Sequence, residues 1–175
     1  MKKIDKLILI SVIIISLFGL LMIYSSSSIW AEYKFNDPYK FLKTQSIFLI
    51  IGYFIIYIIS NIPYQIYQKY SNIILIGCII LLVLVLIPGI GTVRNGSRSW
   101  FGIGSFGIQP SEFAKLGIII FTSKYLTNNK IKDIKTSVLP ILSIVLLIFG
   151  LIMLQPDFGT GMIIVVTIIV LLFVS

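Results

Sequence analysis

The sequence predicts an all-α fold: a polytopic integral membrane protein with about six transmembrane helices. Three observations carry that prediction. The mean hydropathy is +1.06, and 58% of the 175 residues are hydrophobic. Only 11% are charged, where a soluble domain carries about a quarter. The apolar residues also come in long blocks rather than periodic stripes, and crossing the hydrocarbon takes roughly 20 of them per helix.

The blocks cover 7–24, 44–60, 71–87, 108–126, 138–154 and 158–175, read as one transmembrane domain over 1–175. Leu7 to Tyr24 could be mistaken for a secretion signal, but it exceeds the typical 7–15-residue signal core and further spans follow. It is expected to stay as an uncleaved first helix. "SSSSIWAEYKFNDPYKFLK" then separates the first two blocks, with Asn-Asp-Pro as a turn signal. "NIPYQIYQKY" is a short, tyrosine-rich connection suited to an interfacial belt. "PGIGTVRNGSRSWFGIGSFG" is a glycine-rich loop, "TNNKIKDIK" a charged one, and only "QPD" lies between the last two blocks.

Lysine and arginine set the expected orientation. With the N-terminus inside, the inner segments hold eight lysines, Lys2, Lys3 and Lys6 among them, against three lysines and two arginines outside. The bias and its N-terminal cluster follow the positive-inside rule. Arg94 and Arg98 then lie on the outer face against that rule, in the same layer as the QPD turn.

Several function classes drop out. The net charge of +8 needs no nucleic acid to explain it in a membrane protein. There is no histidine, so imidazole acid–base chemistry and the usual zinc sites are excluded. The single cysteine, Cys78, lies mid-span and has no intrachain partner. Gly89 and Gly91 lack the Gly-Lys-Ser/Thr continuation of a phosphate loop, and there is no GxSxG elbow.

Three polar islands remain. Arg94, Arg98 and Trp100 sit among glycines. Arginine forks suit a pyrophosphate head group, although residue types alone favour lipid phosphates beside a tryptophan anchor. In "IQPSEFAKLG", Pro110 fits a first helical position, Gln109 or Ser111 can cap, and Glu112 suits the positive helix end. Lys115 follows Glu112 by three residues, so the two share a face and can pair. Ionisable groups in a span cost a few kcal/mol unless they face protein or water, leaving a structural pair and a cavity lining both open. In "MLQPDFGTGM", Asp157 fits the N-cap of the last block.

"RNGSRSW", "QPSEFAKL" and "QPDFGTG", in this order and with these spacers, resemble the SEDS family of shape, elongation, division and sporulation proteins, FtsW, RodA and SpoVE. "IPGIGTVRNGSRSWFGIGSFGIQPSEF" looks closer to the FtsW and SpoVE branch than to RodA. The resemblance implies a ten-helix fold, of which this chain would be the N-terminal portion, incomplete at its C-terminus. It implies a peptidoglycan glycosyltransferase that polymerises lipid II, the undecaprenyl-pyrophosphate-linked disaccharide pentapeptide, at the outer face of the bacterial cytoplasmic membrane. A class B penicillin-binding protein is the implied partner, and a divalent cation, Mg or Mn, the implied cofactor. Carried onto this chain, the substrate-binding or cavity residues are Arg98, Trp100, Gln109, Ser111, Glu112, Lys115 and Asp157.

In that chemistry a sugar 4-hydroxyl attacks an anomeric carbon and undecaprenyl pyrophosphate leaves. A base must take the hydroxyl proton, and cations must stabilise the leaving group. The family's proposed base falls beyond Ser175, so no residue here is assigned as catalytic. A lipid II translocase and a non-catalytic scaffold that recruits the penicillin-binding protein are the competing expectations.

Overall fold

The computed structural model describes residues 5–94, 96–102, 107–128 and 138–174. The charged loop with Lys130, Lys132 and Lys135, and the N-terminal Lys2 and Lys3, lie outside the described residues. The elements run α1 (Lys6–Phe35), α2 (Lys40–Asn61), α3 (Tyr64–Leu86), β1 (Thr92–Arg94), β2 (Ser97–Trp100), α4 (Pro110–Asn128), α5 (Leu139–Met153) and α6 (Phe158–Val174). They fall into two compact units, Met1–Ile62 and Pro63–Ser175.

The all-α class holds, with six helices among the described residues. Three of them, α1 to α3, are both long and apolar enough to cross a membrane. α5 and α6 are apolar but shorter, at 15 and 17 residues, and α4 carries Glu112, Lys115 and Lys124 within 19 residues.

In the first unit, α1 begins on Asp5, whose carboxylate accepts from the Leu7 and Ile8 amides at 2.9 and 3.4 Å. The four serines do not end it. Ser26 and Ser27 donate their hydroxyls back to the Ile23 carbonyl at 3.3 and 2.6 Å, which satisfies them without leaving the helix. The helix stops only at Asn36, left-handed at φ 56°, whose amide bonds Glu32 O at 2.9 Å. At 30 residues α1 is about 45 Å long, more than a bilayer core of about 30 Å.

Rings join α1 to α2. Tyr24 stacks on Tyr39 with centroids 5.3 Å apart, and Trp30 on Phe41 at 5.5 Å. Phe35 meets both Trp30 and Phe41 edge-on at 5.9 Å. The Lys34 ammonium lies 4.6 Å from the Trp30 ring centre. The turn between the helices is held by Asp37, which accepts from the Tyr39 amide at 3.0 Å and the Lys43 ammonium at 2.9 Å.

The second unit packs α3, α4, α5 and α6 around an aliphatic core. Leu75, Cys78 and Leu82 of α3 meet Ala114 and Ile118 of α4, Ile141, Val145, Ile148 and Ile152 of α5, and Ile164 and Ile168 of α6. Each helix buries one narrow seam at three- and four-residue spacing. α4 comes close to α3 at Gly117, where an added Cβ would lie 3.0 Å from Cys78 Sγ. Small residues allow such contact between membrane helices. Hydrogen bonds tie α4 to α3: Lys124 Nζ donates to Asn72 Oδ1 at 3.4 Å, and the Cys78 thiol to Phe113 O at 3.5 Å.

Part of the glycine-rich segment forms a pair of short strands. β1 and β2 pair antiparallel, with Val93 opposite Arg98 and Arg94 opposite Ser97. Gly96 supplies the turn with φ 82°. The register shifts between Thr92 and Val93, where Thr92 pairs with Trp100, which leaves Ser99 as the extra residue. Ser99 is accordingly buried. Phe101 and Ile108 exchange backbone hydrogen bonds at 2.8 and 2.7 Å.

Candidate functional site

The three sequence islands converge at one end of the α3–α6 unit. α3 reaches this end first and stops at Leu86, two residues before Pro88, which has no amide to continue it. The chain then turns so tightly that Gly91 lies against α3. A Cβ there would fall 1.8 Å from the Val85 carbonyl oxygen, so only glycine fits. Arg98 on β2 donates back to Leu86 O, at a long 3.5 Å. This places a guanidinium at the negative end of α3.

Arg94 and Trp100 share one side of the hairpin. The Arg94 guanidinium lies 5.1 Å from the Trp100 ring centre. It is also pressed on Gly107, where a Cβ would come within 2.7–2.8 Å of the guanidinium atoms. Thr92 Oγ1 donates to Trp100 O at 3.0 Å and fixes the strand beneath the ring.

α4 starts at Pro110, the expected first helical position. Glu112 stands in its first turn, where the helix dipole favours a carboxylate. Lys115 Nζ meets Glu112 Oε1 at 2.7 Å; the lysine side chain is 23% exposed and the glutamate 56%. The pair read from the i, i+3 spacing therefore exists, with its acid the more open member. Ser111 is fully buried, and its hydroxyl has no hydrogen-bond partner among the described residues. Gln109 does not turn its side chain into its own helix. It donates from Nε2 to Asp157 Oδ2 at 2.8 Å.

Asp157 precedes α6 and accepts from the Thr160 amide through Oδ1 at 3.2 Å. The N-cap reading of this aspartate is met, and the bond from Gln109 comes in addition. Two residues earlier lies Gln155, which sequence reasoning passed over. It is fully buried. Its Nε2 donates to Leu82 O at 3.4 Å, its backbone oxygen accepts from the Ser97 hydroxyl, and its Oε1 has no partner among the described residues. A glutamine flanked by apolar helices was the available signal for Gln155. For the hairpin it was Asn-Gly between two short runs.

All seven candidate residues thus belong to one unit. Gln109 and Asp157 touch directly, as do Glu112 and Lys115. Arg98 is held by α3, and Trp100 by Arg94 and Thr92. Among the described residues no three His, Cys, Asp or Glu side chains gather where they could hold a metal ion.

Comparison with known proteins gives one consistent answer. Residues 5–175 match the family model for FtsW, RodA and SpoVE, described as cell cycle protein. The chain is similar to stage V sporulation protein E of Bacillus subtilis, 46% identical over 98% of this chain and 47% of that protein. It is similar to the probable peptidoglycan glycosyltransferase FtsW of Geobacter sulfurreducens, 32% identical over 99% of this chain and 47% of the relative. The chain therefore spans about half the length of the curated relatives it matches. Among solved structures it resembles a chain from work on the structural coordination of polymerization and crosslinking by a peptidoglycan synthase complex. That match has a TM-score of 0.71 and 28% identity, over 91% of this chain and 46% of the other. The rod shape determining protein RodA of Thermus thermophilus gives a TM-score of 0.63 at 26% identity, over 85% of this chain and 48% of RodA.

Proposed function

The chain belongs to the FtsW/RodA/SpoVE family of multi-pass membrane proteins, and from that premise we propose that it forms part of a lipid II polymerase. In this reading the end of the bundle carrying the hairpin and the α4 entrance faces outward from a bacterial cytoplasmic membrane, with the N-terminus in the cytoplasm. The observation that carries the reading is the convergence there of Arg98, Trp100, Glu112 and Lys115.

The roles follow from their chemistry. Arg98 uses one donor on Leu86 O, and its remaining N–H groups suit a pyrophosphate. Lys115 offers a second cation, held by Glu112 in the free protein. As the glycosidic bond forms and the bond to the pyrophosphate breaks, these cations offset the negative charge on the departing group. A base must take the hydroxyl proton, and none of Arg98, Trp100, Glu112 and Lys115 is assigned that role. A divalent cation remains an expectation drawn from resemblance. Among the described residues no three His, Cys, Asp or Glu side chains gather, and no step is routed through the cation. A class B penicillin-binding protein is the proposed partner, in keeping with the synthase complex that contains a similar chain.

The test uses the full-length protein in vesicles with fluorescent lipid II and no membrane potential or ion gradient. A ladder of glycan chains is expected, abolished by the paired exchange Glu112→Lys and Lys115→Glu in a protein that still inserts. Lipid II crossing the bilayer without polymer would identify a translocase. Capture of the penicillin-binding protein that survives Arg98→Ala and Glu112→Ala, again without polymer, would identify a scaffold.

A further inference from the structure

We propose that the turn between α5 and α6 is the organiser of this site, and that Asp157 works there as an uncharged-equivalent tie, a positioning residue rather than a ligand for substrate or a proton carrier. The activity arm of this inference rests on the polymerase reading above; the stability arm does not.

Residues 155–157 reach three separate parts of the unit. Gln155 donates to Leu82 O in the last turns of α3, at 3.4 Å across 73 residues. The Gln155 backbone oxygen accepts from Ser97, across 58 residues. Asp157 accepts from Gln109 at 2.8 Å, across 48 residues. Ser97 is the first residue of β2, the strand that carries Arg98 and Trp100. Gln109 is the last residue before α4, whose first two turns carry Glu112 and Lys115. The hairpin and the α4 entrance are therefore both referenced to one short turn. The buried amide of Gln155 anchors that turn to α3.

The decisive detail is how the Asp157 carboxylate is occupied. Oδ2 faces Gln109 Nε2 and Oδ1 faces the Thr160 amide. Both bonds need an acceptor, and neither needs a charge. An asparagine can keep both: its Oδ1 accepts from Thr160, and its Nδ2 donates to the Gln109 side chain once that amide turns over to present oxygen. A group that accepts a proton from substrate, or that relies on negative charge, cannot be replaced in this way. The neutral isostere thus separates a tie from a chemical role.

The experiment measures lipid II polymerisation and thermal unfolding of the full-length protein carrying Asp157→Asn, Asp157→Leu, Gln109→Leu, or both leucines. If Asp157 is a tie, Asp157→Asn stays within about threefold of wild type in kcat, with an unmoved pH–rate profile. Asp157→Leu falls more than about tenfold in kcat per folded molecule. The double leucine variant is no worse than the worse single one, the signature of two residues serving one bond. The proposal is overturned if Asp157→Asn is as inactive as Asp157→Leu, if it shifts a limb of the pH profile, or if the two leucine effects add. Should the wild-type protein make no polymer, the polymerase reading fails. The melting temperatures then still decide the tie, through the same double-mutant cycle and the Asp157→Asn rescue.

Discussion

Two pairs of helices meet in different ways in this molecule. α1 and α2 come together through Trp30, Phe35, Phe41, Tyr24 and Tyr39, with Lys34 over the Trp30 ring, and Ala31 is the one buried residue among those described in the two helices. α3 and α4 come together through Leu75, Cys78, Leu82, Ala114 and Ile118, with Gly117 letting the backbones close in. The first contact is a clasp of rings near one turn, with a crevice of about 280 Å³ left beside it, lined by Ile23, Trp30 and Phe41 among others. The second is a continuous seam closed at one end by polar ties. In a lipid solvent neither gains much from hiding apolar surface, so packing detail and hydrogen bonds decide. A ring clasp tolerates small displacements. A glycine seam with long-range hydrogen bonds does not, and the candidate site is built on the second kind.

One tryptophan lies in each unit, Trp30 and Trp100, so Trp30→Phe and Trp100→Phe backgrounds let fluorescence follow each unit separately. The largest effect is expected from Gly91→Ala, whose Cβ would collide with the Val85 carbonyl at 1.8 Å. Overpacking against backbone should cost about 3 kcal/mol, with the Trp100-reported midpoint falling much further than the Trp30-reported one. Equal shifts in both would erase the contrast.

Next comes Phe41→Ala, which removes the stack on Trp30 and the edge contact with Phe35. A loss of about 2 kcal/mol is expected, this time in the Trp30 signal. An unaffected Trp30 midpoint would mean the rings are not what joins α1 to α2. Ser97→Ala removes the donor to Gln155 O and should cost about 1 kcal/mol, read from Trp100 in denaturant titrations.

The smallest effect is electrostatic. The Lys43 ammonium, and then the Tyr39 amide, hold the Asp37 carboxyl below its ordinary pKa. A depressed carboxyl contributes stability that is present above its unfolded pKa and lost as pH falls through the folded one. The Trp30 midpoint should therefore slip as pH falls through and below the ordinary aspartate range, and Lys43→Met, which removes the largest cause and leaves the Tyr39 amide, should reduce that slip. A slip undiminished in Lys43→Met would assign it to another group.

Much of the fold was legible because hydrophobic blocks and breakers are local signals. Asn36, Pro63 and Pro88 end or separate helices near where the sequence marks them. The serine run misled: Ser25 to Ser28 read as a separator but continue α1, since hydroxyls bonded to the preceding turn are compatible with a helix. The buried seams were invisible. On α3, Leu75, Leu82 and Val85 face protein while Ile76, Ile80 and Val83 are exposed, and both sets are aliphatic. In a soluble helix the outer set would be polar and the stripe would show.

The site divides in the same manner. Glu112 with Lys115, Pro110 opening α4, and Asp157 capping α6 are near-neighbour relations, and all three could be read from spacing. Gln109 to Asp157, Ser97 to Gln155, and Gln155 to Leu82 join residues 48, 58 and 73 positions apart. No local pattern encodes those distances. They arise from which helices pack together, and that depends on seams the sequence conceals.

The Ser97–Gln155 bond also sets an order in time. At roughly 5–20 residues per second of synthesis, the 58 positions between donor and acceptor take about 3–12 s to make. Through that interval β2 exists without its acceptor, and Ser97 has Ser99, 2.9 Å away in the finished protein, as its nearest hydroxyl partner. The residues of the hairpin are thus made early and fastened late. A ribosome paused within α5 would hold the arginine-bearing strand already made, with the turn that locks it still to come.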